Sequence, residues 1–247
     1  MRYAEGKPAT PVKSYDGTDA MRLRGRRLKS GWKELFFMSD LSKDSVTSSR
    51  VTGRKIAVTA IFTAMAVVLM YLEFNIPFMP PFLKFDFSEL PVLIGSFALG
   101  PVYGIVIELL KNLIHLPVTA TAGIGEMSNF ITGSIYVFTA GFFYEKHRTR
   151  KGAIISMLLA TLVLALIAVP FNYFITLPLY GSVLNFSTEA IVGMSAAVNP
   201  LIKDKTSLVL WAFLPFNLFK GLVIGFWTFW IYKPISKLIN STYKKTR

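Results

Sequence analysis

The sequence predicts an all-α membrane protein with six transmembrane helices, and three observations support this class. Of the 247 residues, 53% are hydrophobic and only 17% are charged, whereas soluble domains carry about 25% charged residues. The mean hydropathy is +0.49. Apolar stretches long enough to cross a bilayer recur along the chain. The protein is therefore expected to be an integral, multi-pass membrane protein.

The distribution of basic residues predicts the topology. The formal net charge is +13, and the Lys and Arg residues gather before Ile56, around the loop 146–151 and after Lys233. Such grouping follows the positive-inside rule, so both termini and the loop 146–151 are expected to be cytoplasmic. It argues against nucleic-acid binding as the reason for the charge. The absence of cysteine excludes disulfides and thiolate metal sites.

Three regions follow one another along the chain. Residues 1–50 are polar and basic, which predicts a disordered cytoplasmic tail. A transmembrane domain is expected over residues 51–240, and residues 241–247 form a basic cytoplasmic C-terminus. The six spans are predicted at residues 56–72, 88–100, 102–116, 127–144, 153–180 and 206–232. Pro77, Pro80 and Pro81 exclude a regular helix from the outer loop 73–87, and residues 181–205 are expected to form another outer loop.

Lys220 lies inside the apolar sixth span and is the most informative residue of the sequence. Burying an ammonium group there costs roughly 2.5–3.5 kcal/mol. Such a residue is kept where it meets a polar partner inside the protein. Lys220 is therefore a candidate for a ligand site.

The fifth and sixth spans share the tripeptide Pro-Phe-Asn, which ends at Asn172 and at Asn217. Each proline frees a backbone carbonyl four residues earlier, and each asparagine places an amide near that break. Two interpretations are open: the amides bond across helices, or they face a ligand. Because Lys220 follows Asn217 at i+3, both side chains point the same way and favour a ligand pocket.

An asparagine amide and a lysine suit the edge of a flat heterocycle. The amide offers one acceptor and two donors, which matches the C=O, N–H, C=O edge of pyrimidines and flavins. The lysine adds a donor and a positive charge for a ring carbonyl, while nearby aromatic side chains can cover the ring faces. A partly polar heterocycle therefore fits this wall better than a sugar or an inorganic ion.

The third span carries Glu108, Lys111 and Asn112 at helical spacing. Either they form an internal ion pair, or Glu108 or Asn112 reaches the polar tail of the ligand. The sequence contains no Walker lysine loop, no HExxH motif and no nucleophile with a matching base. We therefore expect no enzymatic activity, no cofactor and no resident metal.

Two further patterns have a structural and a functional interpretation. The aromatic outer loop around Phe85 is either a lid over the site or an interfacial belt. Asp86 and Glu89 are expected to stabilise the start of the second span, with Ser88 as its N-cap. Small residues in the first span, at Ala57, Ala60 and Ala64, allow another helix to approach closely.

Several of these segments resemble the substrate-binding S components of energy-coupling factor (ECF) vitamin transporters, with the riboflavin-specific members as the best match. The resemblance covers residues 52–240. It rests on Lys84-Phe-Asp-Phe-Ser-Glu-Leu-Pro91, the segment 95–104, Glu108-Leu-Leu-Lys-Asn112, the alanine motif and Asn217-x-x-Lys220.

The resemblance implies a function and its residues. Such a protein captures riboflavin outside the bacterial plasma membrane and docks through its first span on the transmembrane coupling subunit EcfT, which two ATPase subunits drive. The flavin ring would be held by Asn172, Asn217 and Lys220, and the first outer loop would close the site. Riboflavin is then the transported ligand and not a cofactor.

Other functions compatible with the sequence are an S component for thiamine or pantothenate and a stand-alone secondary transporter. The lack of paired acids within the spans counts against the latter, because a proton relay needs them.

Overall fold

The computed structural model describes the backbone of residues 53–244 and the side chains up to Ile231. The predicted tail at residues 1–50 and the end of the C-terminal segment lie outside these described residues. Nine α-helices and one pair of two-residue strands form the described part. The helices are α1 (Gly53–Met70), α2 (Glu89–Leu99), α3 (Pro101–His115), α4 (Ile124–Lys146), α5 (Arg150–Phe171), α6 (Leu177–Leu184), α7 (Thr188–Ala196), α8 (Lys205–Leu208) and α9 (Leu214–Lys244).

Two π-helical turns join helices that the sequence predicts as single spans. The turn Asn172–Thr176 connects α5 to α6, and the turn Val209–Phe213 connects α8 to α9. The result is two continuous helical stretches, Arg150–Leu184 and Lys205–Ile231. Both π turns lie beside the Pro-Phe-Asn tripeptides, where a proline removes a backbone donor.

Four described helical stretches are long and apolar enough to cross a membrane: α1, α3 with the 3₁₀ turn Leu116–Val118, α5 with α6, and α8 with α9. Helix α4 has 23 residues, but Ser, Thr, Asn and Gly lower its hydropathy. Helix α2 is apolar but has only 11 residues, which rise about 16 Å, or about half of a hydrocarbon core. The chain is thus mostly helical, with four candidate spans by length and composition.

Two predicted loops differ in the structure. The loop 73–87 contains no helix, as its prolines predict, but it forms a short antiparallel hairpin from β1 (Phe74–Asn75) and β2 (Lys84–Phe85), which the sequence does not predict. The predicted loop 181–205 is largely helical, because it contains the end of α6 and all of α7. Helix α7 begins where the Ser187 side chain accepts a hydrogen bond from the Ala190 amide at 3.2 Å.

Small residues bring the central helices close together. Helix α4 packs against α2, α3 and α5, and α5 packs against α9. A Cβ added at Gly141 would lie 2.2 Å from the Ser96 hydroxyl, and one added at Gly221 would lie 2.7 Å from Thr161. Ser96 and Tyr136 donate hydrogen bonds to carbonyls of facing helices. Small residues thus allow close contact between these helices.

Candidate functional site

A cavity of about 380 Å³ lies beneath the hairpin loop. Its walls come from that loop, from α4, from the α5–α6 stretch and from the α8–α9 stretch. This volume falls within the range of about 300–1,000 Å³ that small-molecule sites occupy. The structure brings Asn172, Asn217 and Lys220 together on its wall, as the sequence analysis expects.

The two tripeptide asparagines have the same local geometry. The Nδ2 amide of Asn172 donates to the Ala168 carbonyl at 2.7 Å, and that of Asn217 donates to the Phe213 carbonyl at 2.8 Å. Each side chain therefore bonds to its own helix, four residues back, and not across helices. Because this bond fixes the amide, the remaining oxygen and N–H are held in place for a partner in the cavity.

Lys220 is not an isolated amine. Its Nζ atom donates to the Asn129 Oδ1 atom at 3.0 Å and lies 3.5 Å from Glu89 Oε1 and 4.0 Å from Asp86 Oδ2. Its side chain is 11% exposed, toward the cavity. The sequence does not predict these carboxylate partners, because the position of Asp86 and Glu89 indicates only acids at the start of a helix. The ammonium is thus satisfied within the protein and still borders the cavity.

A buried ion cluster lies next to Lys220. The Lys111 Nζ atom contacts Ser88 Oγ at 2.8 Å, Glu89 Oε1 at 2.8 Å and Glu108 Oε1 at 3.0 Å. The i,i+3 pair of Glu108 with Lys111 is the internal ion pair that the sequence suggests. Glu89 joins the two lysines, because one of its oxygens faces both. Gly133 makes this cluster possible, since a Cβ there would lie 2.5 Å from Glu108 Oε1.

The start of α2 differs from its prediction. Ser88 occupies the N-cap position, but its side chain does not cap the helix and instead accepts from Lys111. Asp86 Oδ1 accepts from the Ser88 amide at 2.6 Å. Both residues are buried. The two acids and the serine at this helix end thus contact the lysines of the ion cluster beside the cavity.

Helix α4 supplies cavity residues that the sequence analysis missed. The Asn129 Oδ1 atom accepts the hydrogen bond from Lys220. One helical turn earlier, Glu126 Oε1 lies 2.9 Å from the ring Nδ1 atom of His115. Thr119 donates to the other Glu126 oxygen at 2.7 Å. Polar residues at the start of an otherwise apolar segment, such as Asn129, were the available signal.

Aromatic side chains form much of the apolar surface of the cavity. Phe82 from the hairpin loop lies 5.9 Å from the ring of Phe213 and 6.3 Å from that of Tyr180, between centroids. All three line the cavity, as does Phe216. These rings offer faces against which a flat heterocycle can pack.

Three predicted site residues do not reach the cavity. Phe85 is buried against Phe87 and Phe219. Glu108 is held by Lys111, and Asn112 donates to the Glu108 backbone and side chain at 2.8 and 3.0 Å. None of the three is part of the cavity wall, so the candidate site omits them. The physical reason for Glu108 and Asn112 is that contacts within α3 occupy their polar groups; Phe85 is instead held by aromatic packing.

The small residues of α1 lie on an open face. Ala57, Ala60 and Ala64 are exposed, whereas Thr63 and Ala66 on the opposite side are buried. This face of the helix therefore carries small apolar side chains, which leave room for another helix to pack closely.

Comparisons with known proteins identify the family. The model of the family described as "ECF transporter, substrate-specific component" matches residues 54–232. The riboflavin transporter RibU of Staphylococcus aureus (strain TCH60) is 31% identical over 188 residues, which cover 76% of this chain and 93% of the relative. The riboflavin transporter FmnP of Bacillus subtilis (strain 168) is 33% identical over 177 residues, which cover 69% of this chain and 86% of the relative.

A solved structure agrees with this assignment. The structure described as "Structure and mechanism of the S component of a bacterial ECF transporter" is similar, with a TM-score of 0.61 and 30% sequence identity over 76% of this chain and 98% of that chain. The chain is an integral membrane protein and a transport component, not an enzyme. It belongs to the family of substrate-specific components of ECF transporters.

Proposed function

We propose that this chain is the riboflavin-binding subunit of an ECF-type importer. It captures the vitamin from outside and passes it to an energy-coupling module. The single observation that carries this proposal is the cavity wall on which two fixed amides and one ammonium meet. Two similar proteins, which are 31% and 33% identical to this chain, are named riboflavin transporters, and this supports the proposal.

The wall matches the hydrogen-bonding edge of the flavin ring. Asn172 and Asn217 each have an amide whose position is fixed by a bond to its own helix. Lys220 adds a donor that can turn from Asn129 toward a ring carbonyl over a short distance. The rings of Phe82 and Phe213 lie beside these groups and would cover a ring face. Polar edge recognition gives specificity, and the aromatic surface gives affinity.

The hairpin loop would act as a lid. Its residues 81–84 and Asp86 border the cavity, and Asp86 lies 4.0 Å from the Lys220 ammonium. This ion pair would therefore link the closed position of the loop to the lysine that binds the ring. Opening of this loop would let the vitamin enter from outside.

Delivery would use the open face of α1. Ala57, Ala60 and Ala64 form a surface on which a helix of the coupling subunit EcfT can pack closely, and two ATPase subunits would drive the cycle. In this proposed arrangement the chain has six membrane-embedded segments, and both termini are cytoplasmic. Short α2 is then embedded among α3, α4 and α9, where protein and not lipid surrounds it.

The test is direct binding by the purified protein in detergent. Riboflavin fluorescence should be quenched on titration with the protein, whereas thiamine and pantothenate should neither bind nor compete. Asn172→Ala and Asn217→Ala should each weaken riboflavin binding by about 1–3 kcal/mol, since each removes a polar contact to the ring edge. Asn75→Ala is the matched control, because this exposed hairpin residue lies outside the cavity wall.

Two outcomes would contradict the proposal. Absence of riboflavin binding, or tighter binding of thiamine or pantothenate, would exclude riboflavin as the substrate. Wild-type affinity in both cavity variants would leave their asparagines with a structural role only.

A further inference from the structure

A groove of about 420 Å³ lies between α5 and α9 and shares no described lining residue with the cavity beneath the hairpin loop. We propose that this groove holds one acyl chain of an anionic phospholipid, whose headgroup binds the basic residues at the start of α5. The inference concerns a lipid and not the vitamin, so it goes beyond the proposed function. Only the choice of the inner leaflet rests on the proposed cytoplasmic side of both termini.

The groove is apolar and open to the surroundings of the protein. Five large apolar side chains of its lining are 38–59% exposed, namely Ile154, Leu158, Leu222, Phe226 and Phe229. Thr161 has the only polar side chain among the described lining residues, and its hydroxyl donates to the Met157 carbonyl of the same helix at 2.9 Å. Because this hydroxyl already has a partner, the lining favours an apolar occupant.

The two helices diverge along the groove. A Cβ added at Gly221 would lie 2.7 Å from Thr161. One added at Gly225, about one helical turn later, would have its nearest contact at 3.6 Å, with Met157. The groove is thus narrowest near the middle of the helices and widens toward the start of α5. This shape fits a chain that enters from the membrane surface.

The length of the groove matches a lipid chain in one leaflet. Thr161 lies 11 residues after Arg150, which corresponds to about 16 Å along α5. Half of a hydrocarbon core is about 15 Å. An acyl chain that begins near Arg150 and ends near Thr161 therefore stays within one leaflet. The lining from Ile154 to Thr161 covers only about 10 Å, which is short for a transmembrane helix of a partner.

The glycines of α9 do not provide a surface for a second helix. Gly221 and Gly225 have the four-residue spacing that permits close helix packing. Both are buried, and side chains of α5 lie next to them. The spacing is thus used for packing within the chain, which favours a lipid over a second copy of the protein as the occupant.

Basic residues lie at the wide end of the groove. Residues 145–151 contain four basic side chains and one acid. Arg150 and Lys151 are exposed, and they precede Ile154 by four and three residues, so that all three lie on one face of α5. On α9, Lys233 lies about one helical turn beyond the lining. Basic groups beside a groove between helices attract anionic headgroups, which favours an anionic over a zwitterionic lipid.

The experiment measures lipid binding by the purified full-length protein in detergent. After copurified lipid has been removed, phosphatidylglycerol or phosphatidylcholine is titrated, and native mass spectrometry counts the lipids bound to each chain. One phosphatidylglycerol should bind with a Kd about tenfold or more below that of phosphatidylcholine. Equal Kd values would overturn the inference. Riboflavin titration of the same preparation tests the proposed function separately, because it does not depend on the lipid.

Two substitutions test the groove. Leu158→Trp fills it and should weaken phosphatidylglycerol binding about tenfold or more, because fewer methylene groups are then buried. Leu162→Trp is the matched control, since Leu162 is 56% exposed on the same helix but lies outside the lining. Equal lipid binding by the two variants would overturn the inference. A protein dimer that only Leu158→Trp dissociates would also overturn it, since the occupant would then be a second copy.

A double variant tests the headgroup contact. Arg150→Gln combined with Lys151→Gln should lower the preference for phosphatidylglycerol about tenfold, because two positive charges are lost. Lys203→Gln combined with Lys205→Gln removes the same charge around the start of α8, outside the groove, and should leave the preference unchanged. Thermal unfolding without lipid checks that both double variants are folded. An unchanged preference in the folded Arg150 and Lys151 variant would overturn the inference.

Discussion

Lys111 and Lys220 are two amines in apolar helices with different surroundings. Lys111 is fully buried and has three oxygen partners within 3.0 Å, at Ser88, Glu89 and Glu108. Lys220 has one partner at 3.0 Å, the neutral amide of Asn129, and its carboxylates lie 3.5–4.0 Å away. Lys220 also borders the cavity, whereas Lys111 does not.

Membrane burial alone therefore does not identify a ligand-binding lysine. Both ammonium groups would be costly without partners. One is saturated by short contacts and has no capacity left for a ligand, while the other keeps looser contacts beside an open space. The number and length of the protein contacts thus separate a structural lysine from a candidate binding lysine. Three variants test this separation.

Lys111→Met should have the largest effect, and on stability. It leaves Glu108 without an ammonium and Glu89 with only the longer contact to Lys220. Breaking a buried ion pair in this way costs about 3–5 kcal/mol. Thermal unfolding in detergent should show a much lower midpoint than for the exposed control Lys203→Met. Equal midpoints for the two variants would show that the cluster does not stabilise the fold.

Lys220→Met should act mainly on binding. Riboflavin affinity should fall by about 1–3 kcal/mol, as for the loss of one good edge contact. Its unfolding midpoint should fall less than that of Lys111→Met, because fewer short contacts are lost. Fluorescence titration and thermal unfolding of the same preparation check both expectations. If Lys220→Met were the more destabilising of the two, the comparison of the lysines would be wrong.

Glu108→Gln should have the smallest effect. The amide keeps the shape of the side chain, and Lys111 retains Glu89 and Ser88. The Oε2 atom of Glu108 has no hydrogen-bond partner among the described residues. The unfolding free energy should therefore change by about 1 kcal/mol or less. Glu89→Gln is the matched comparison and should destabilise more, since Glu89 faces both lysines; the opposite order in unfolding experiments would contradict this assignment.

Local spacing in the sequence was sufficient for some of these contacts. The i,i+3 relation of Glu108 and Lys111 predicts their ion pair, which the structure confirms. The repeated Pro-Phe-Asn tripeptide leads to Asn172 and Asn217, which the structure brings to one cavity. Glu108 and Lys111 lie on one helix, so helical geometry alone places them. The tripeptide marks one asparagine on each of two helices, and helix packing brings these two asparagines together.

Other contacts depend on tertiary packing, which spacing does not encode. Lys220 and Asn129 are 91 residues apart, and Lys111 and Glu89 are 22 apart. Asp86 and Glu89 look like ordinary acids at the start of a helix, because nothing in their local sequence shows the lysines above them. Phe85, Glu108 and Asn112 lie outside the cavity wall, so their role as ligand residues stays a prediction.

The secondary structure shows a similar limit. Hydropathy predicts the long apolar spans but not α7, although Ser187 before α7 is a good N-cap signal. The hairpin strands have two residues each, too few for an alternating pattern. The π turns could not be located either, since a proline indicates a disturbed helix but not how the backbone adapts.

The two π turns have a consequence for how the chain tolerates changes in length. A π turn holds one residue more than an α-helical turn would need, which equals a rotation of about 100° for everything beyond it. Removing one residue from Val209–Phe213 would let the backbone close into a regular α-helix. Neighbouring residues would then turn to new faces, so that deletion of a single codon within residues 209–212 would remodel the cavity without removing any of its lining side chains.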